Sequence, residues 1–308
     1  MEPRIQYAKT EDGVSIAYWT LGEGQPLVCL PPMVWSHLQM EWKDPLLRAW
    51  YEQLCKTRRL VRYDFRGQGL SERSVADLSF EAFVQDLDTV AEHLHLERFS
   101  LYTLGPNTPL ALAYAARHPE RVAHLILFNP QIKTLEAGAP GTSLLEIAGK
   151  DWETYTEAIA QAVLGWSEGD RARAFAGFIR QSVNQETWTK LIEQGIDADA
   201  APLLSQVSAP TLVLARPTER RVVDASQIST LASQMRNARV VFLSGTEPAL
   251  HLGDTHEGLR AINDFLGEGE EEAAGTPATG GLVTILFTDI ASSTALTQRL
   301  GAVGQARV

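Results

Sequence analysis

Apolar positions along the chain change period several times, and the changes divide it into segments. Short, nearly continuous apolar runs at 14–21, 26–30, 59–64, 99–104 and 122–128 predict strands. Between them, 46–55, 80–93 and 110–117 carry apolar residues at helical spacing. In the second of these, Phe80, Phe83, Val84, Leu87, Val90 and Leu94 share one face, and Ser79 stands where an N-cap belongs. Alternating strands and helices predict an α/β fold with a mostly parallel central sheet and helices on both faces. The alternation stops over 131–207, where 152–164, 171–183 and 186–195 are helical in pattern and no strand is visible. It resumes with strands at 211–215 and 238–243 and helices at 225–235 and 257–266. The expected organisation is a core of 1–130 and 208–267, with a helical cap of 131–207 inserted in it. Residues 268–281 are acidic and small with almost nothing to bury, which predicts a flexible linker. A new apolar strand pattern at 282–287 opens a further segment, 282–308.

Charge narrows the partners. The chain has 27 Lys+Arg against 38 Asp+Glu, a net charge of −11 with no basic cluster, which argues against nucleic acid and anionic lipid. Its two cysteines, Cys29 and Cys55, lie in apolar segments and cannot make a disulfide framework. Residues 1–13 are too polar for a signal peptide, and no apolar run approaches the roughly 18 residues of a membrane span. The expectation is a reduced, cytoplasmic protein.

Four stretches then match a known pattern in order. Residues 27–32 read as a strand running into a loop. Asp64, Arg66, Gly67, Gly69 and Ser71 spell D-x-R-G-x-G-x-S. Ala115-Ala116-Arg117-His118-Pro119-Glu120-Arg121-Val122 follows the helix after the fourth strand pattern, and 245–254 is a late Gly-bounded loop. Over about 5–266 the chain resembles the α/β-hydrolase fold, and the resemblance implies a serine on a sharp strand-to-helix turn, a later acid and a final histidine.

The positions that match those three groups do not carry them. Laid without gaps on G-x-S-x-G, Thr103 and Asn107 take the glycines and Gly105 takes the serine; a slide of two residues puts Asn107 at the nucleophile instead. The histidine position falls on Pro248, and Glu219 is the carboxylate nearest the expected acid. Gly105, Glu219 and Pro248 are thus the degenerate triad positions, and no catalytic residue is expected. Thr103, Thr108 and Ser100 leave a displaced triad as the alternative.

The fold implies a cavity between the sheet and the cap in either case. Met33, Val34 and Trp35, on the loop that in such hydrolases supplies an oxyanion-hole N–H, with Leu104, Gly105, Trp152, Trp166 and His251, are its candidate lining. The aromatics fit plain cap packing as well as a ligand, and His251 fits a loop or edge position as well as the cavity. The expected partner is a small apolar or amphipathic molecule.

The segment Val283-Thr284-Ile285-Leu286-Phe287-Thr288-Asp289-Ile290-Ala291-Ser292-Ser293-Thr294, with Leu300-Gly301, resembles the opening of a class III nucleotide cyclase domain. The resemblance implies Asp289 and Ile290 as metal-site positions, Mg²⁺ or Mn²⁺ as cofactor, and a homodimer through that domain, in a complete cyclase. One strand and part of a helix make no such site, so no cofactor is expected for this chain. Three functions remain open: a non-catalytic ligand-sensing module regulating an adenylate or guanylate cyclase, an esterase or lipase with a displaced triad, and a dimerisation or interaction scaffold.

Overall fold

The runs that are apolar on both sides become the middle of a sheet. The computed structural model describes residues 2–32, 35–133, 144–165, 168–194, 198–216 and 225–273. Its strands are β1 (Gln6–Lys9), β2 (Ser15–Leu21), β3 (Gln25–Cys29), β4 (Arg58–Tyr63), β5 (Phe99–Leu104), β6 (Val122–Phe128), β7 (Thr211–Ala215) and β8 (Ala238–Phe242). They form one sheet in the order β1-β2-β4-β3-β5-β6-β7-β8. Pairings β1–β2 and β2–β4 are antiparallel and all later ones parallel. The chain divides into two units, Met1–Gly267 and Glu268–Val308, of which the first holds the whole sheet.

Alternation along each strand separates two cores. Val28, Val213 and Ala215 join one apolar cluster, while Leu27, Cys29, Leu212 and Leu214 join the other. The first face takes α3 (Phe80–His93) and α4 (Thr108–Arg117); the second takes α1 (Leu38–Lys43), α2 (Pro45–Leu54) and α10 (His256–Ala273). Helix ends follow local chemistry. Ser79 accepts from the Ala82 N–H, and Asp44 accepts from Leu46 and Leu47 ahead of Pro45 in the first turn. The cap is α5 (Leu145–Ala148), α6 (Trp152–Leu164), α7 (Gly169–Ser182) and α8 (Gln185–Glu193), after which the chain returns to β7; α9 (Ala225–Ser233) precedes β8.

Three features differ from expectation. β1 has no apolar run, because only Ala8 of its four residues faces inward at the sheet edge. α1 is a single short helix capped by His37, too brief for a periodic signal. α10 does not end at 266 but continues to Ala273. There Glu268, Glu270, Glu271, Glu272 and Ala273, good helix formers, outweigh Gly267 and Gly269. The rest of the expected linker and 282–308, with Asp289 and Ile290, lie outside the described residues. No described helix is long and apolar enough to cross a membrane.

Candidate functional site

A parallel strand that must turn at once into a helix needs one residue of unusual backbone. At the end of β5 this is Gly105, with φ +49°. A single 3₁₀ turn, Gly105–Asn107, leads from it into α4. The turn is tied from within: the Thr108 hydroxyl donates to the Gly105 carbonyl at 2.8 Å, and the Asn107 amide donates to the Pro31 carbonyl. Gly105, not Asn107, therefore stands at the apex. A Cβ added to Gly105 would meet nothing within 4 Å, whereas one on Gly22 would lie 2.4 Å from two backbone oxygens. Crowding excludes a side chain at Gly22; at Gly105 the space is open.

None of the three candidate hydroxyls, Ser100, Thr103 and Thr108, stands at the apex of the turn. Thr103 is fully buried in β5, and Thr108 is engaged with Gly105 and the Gln131 N–H. Ser100 meets His124 at 3.3 Å, but it stands five residues before Gly105, about 16 Å from the elbow at ~3.3 Å per residue.

The loop after β3 is held by buried charge. The Arg62 guanidinium pairs with Glu41 at 2.6 Å, and the Tyr51 hydroxyl donates to the same carboxylate at 2.7 Å. Beside them Asp64 accepts from the Ser36 hydroxyl and from the Leu38 and Leu70 N–H groups. Burial, reinforced by Glu41, pushes the Asp64 carboxyl up to about 6. Gly69 has to be glycine: its φ is +49° and a Cβ would fall 2.1 Å from an Asp64 oxygen. Arg66 closes the turn on Asp86 at 2.8 Å and Asp12 at 2.7 Å. The cap docks here, through the Gly69 N–H to the Ser182 carbonyl and Trp35 edge-on to Phe175, 5.4 Å between centroids.

The late loop is built on a cation. Arg216, directly after β7, is buried and donates to the carbonyls of Ala249 (3.0 Å), Leu252 (3.3 Å) and Asp254 (2.9 Å). The Glu247 carboxylate lies 3.7 Å from it. Gly245 (φ +91°) and Gly253 (φ +71°) wrap that carboxylate closely: their added Cβ atoms would lie 2.3 Å and 2.5 Å from it. In this loop a buried arginine thus faces a glutamate and three carbonyls. His251 is half-buried, and burial pushes it down to about 4, with Arg171 and Arg216 adding to the shift and Asp44 and Glu41 opposing it. It is neutral at pH 7 and a weak base.

Other lining candidates are less central. Leu104 is half-buried against the second core cluster. Trp152 stacks on Tyr155 at 5.5 Å and tilts against Trp188 at 6.4 Å within the cap. Met33, Val34, Trp166 and Glu219 lie outside the described residues. No described group of His, Cys, Asp and Glu is arranged to hold a metal ion.

A family model described as the alpha/beta hydrolase fold matches residues 26–206. The AB hydrolase superfamily protein YisY of Bacillus subtilis is 27% identical over 113 residues, 36% of this chain and 40% of that protein. The chain thus matches about two fifths of the length of that curated relative. Among solved structures, a hydrolase from Pseudomonas aeruginosa superposes with a TM-score of 0.70 at 22% identity, covering 86% of this chain and 98% of that one. An esterase from Rhodococcus sp. superposes with a TM-score of 0.70 at 21% identity, covering 87% and 99%. With the family model spanning more than half of its length, the chain belongs to the alpha/beta hydrolase fold family.

Proposed function

We propose that this chain binds a small apolar or amphipathic molecule over Gly105, under the cap, without hydrolysing it. The observation that carries the reading is the elbow. Gly105 keeps the left-handed backbone of a nucleophile turn, with open space where a reactive side chain would stand. Acyl transfer needs a nucleophile and a base acting together, and Pro248 at the expected base position has neither a lone pair nor a proton to offer. The resemblance of 283–294 to a cyclase opening adds a role for such binding, regulation of an attached cyclase using Mg²⁺ or Mn²⁺. That role rests on the sequence alone.

A second reading is ester hydrolysis with a displaced nucleophile. It is favoured by the company the fold keeps, solved structures named as a hydrolase and an esterase. Incubation with p-nitrophenyl acetate and butyrate separates the two. Release of p-nitrophenol above the buffer rate, blocked by a serine-directed reagent, establishes hydrolysis and overturns binding without turnover.

A further inference from the structure

We propose that the ends of β6 and β7 hold the carboxylate of a small organic acid, accepted from Nδ2 of Asn129 and Nε of Arg216, with the body of the acid over Gly105. This rests on the binding reading above and names its ligand class.

Asn129 follows β6 with φ +43° and is buried. Its Oδ1 accepts the Arg216 backbone N–H at 2.8 Å, which fixes the amide orientation and leaves Nδ2 as a donor. That nitrogen has no partner among the described residues, and neither has Nε of Arg216. The other guanidinium nitrogens are committed to Ala249, Leu252 and Asp254. Glu247, the carboxylate paired with Arg216, stands 3.7 Å from Nη1 and accepts instead from the Thr246 N–H at 3.0 Å. Two buried donors, one of them charged, are therefore left on residues that touch through the Asn129 Oδ1 and Arg216 N–H bond.

A carboxylate matches two such donors because it offers two acceptor oxygens and the opposite charge. Sheet register sets where the rest of the ligand lies. Leu104 pairs with Phe128 and Phe128 with Leu214, so Gly105 and Asn129 are neighbours at the carboxyl edge, one strand spacing or about 4.8 Å apart. A group held at Asn129 and Arg216 thus extends toward the open space at Gly105, with half-buried Leu104 beside it. The charge of Arg216 is already felt at His251. Both donors are closed to water, so the acid reaches them by wedging in beside Asn129.

Calorimetric titration of the full chain with straight-chain monocarboxylates from butyrate to dodecanoate, against the matching primary alcohols, tests this. Each acid is expected to bind about ten- to a hundred-fold tighter than its alcohol, the range for hydrogen bonds to a charged group. Asn129→Asp keeps an oxygen for the Arg216 N–H but fills the donor pair with a negative charge. It is expected to bring the acids down to the affinity of the alcohols, with the fold checked by circular dichroism. Equal affinity for acid and alcohol in the unaltered chain, or an acid preference that survives Asn129→Asp, overturns the carboxylate site and leaves the binding reading standing. Binding of neither series overturns both.

Discussion

Arg216 and Glu247 meet at 3.7 Å across the gap between β7 and the loop that follows β8, the guanidinium buried and the carboxylate partly open to water. The same guanidinium ties down three carbonyls of that loop. It is the loop's anchor as well as its charge partner.

Arg216→Met should therefore cost more than a surface ion pair. Three carbonyls lose their donors, and a buried acceptor left unpaired costs about 1–3 kcal/mol, while Glu247, partly open to water, loses its counter-charge. Urea denaturation should show the loss. Hydrogen exchange should show it centred on 245–254; unchanged protection there would mean that the loop stands without its arginine.

Gly105→Ser is expected to fold without a clash and to remain inactive toward p-nitrophenyl esters. A Cβ there meets nothing within 4 Å, so the cost is the left-handed backbone, about 1–2 kcal/mol. Measured turnover in this variant would reveal a base that the described residues do not show.

Asp64 gives stability a pH dependence of defined sign. Its folded value, about 6, lies above the ordinary aspartate value of 3.8. Between these values the native state holds the proton more tightly than the unfolded chain, so stability falls as pH rises through the window and levels off above it. Asp64→Asn should remove that slope, and its stability relative to the unaltered chain should improve by up to about 3 kcal/mol from pH 4 to pH 7. Parallel denaturation curves at both pH values would contradict this.

Trp35→Ala removes the edge-to-face contact with Phe175 that joins the loop after β3 to the cap. A pair of this kind contributes about 0.5–1.5 kcal/mol beyond its buried area. Proteolysis within α6 and α7 should quicken, and release of a bound monocarboxylate should speed up. A ligand dissociation rate equal to that of the unaltered chain would place Trp35 outside the path to the space over Gly105.

Much of this molecule was legible in its residues because burial on both faces leaves an unambiguous pattern. The expected bounds 80–93, 99–104, 122–128, 152–164 and 211–215 coincide with α3, β5, β6, α6 and β7. β1 was not legible, since an edge strand with one inward residue carries no period. At the site, Gly105 could be read because a motif fixes its position. Arg216 and Asn129 could not, since an arginine or asparagine leaving a strand looks like any polar turn residue. Only the register of β5, β6 and β7 brings them together. The Arg62–Glu41 pair left one trace, a charge inside an apolar strand pattern.

Arg216 also sets an electrostatic ratchet against the reaction most associated with this scaffold. Suppose a lineage acquired Gly105→Ser and Pro248→His together. The new imidazole would have to become a cation during acyl transfer, next to a loop already organised by a buried guanidinium. Exchanging Arg216 for an acid would remove that positive charge, but the change also unties the loop it anchors. Placing a histidine at 248 in a favourable field thus begins with a loss of stability.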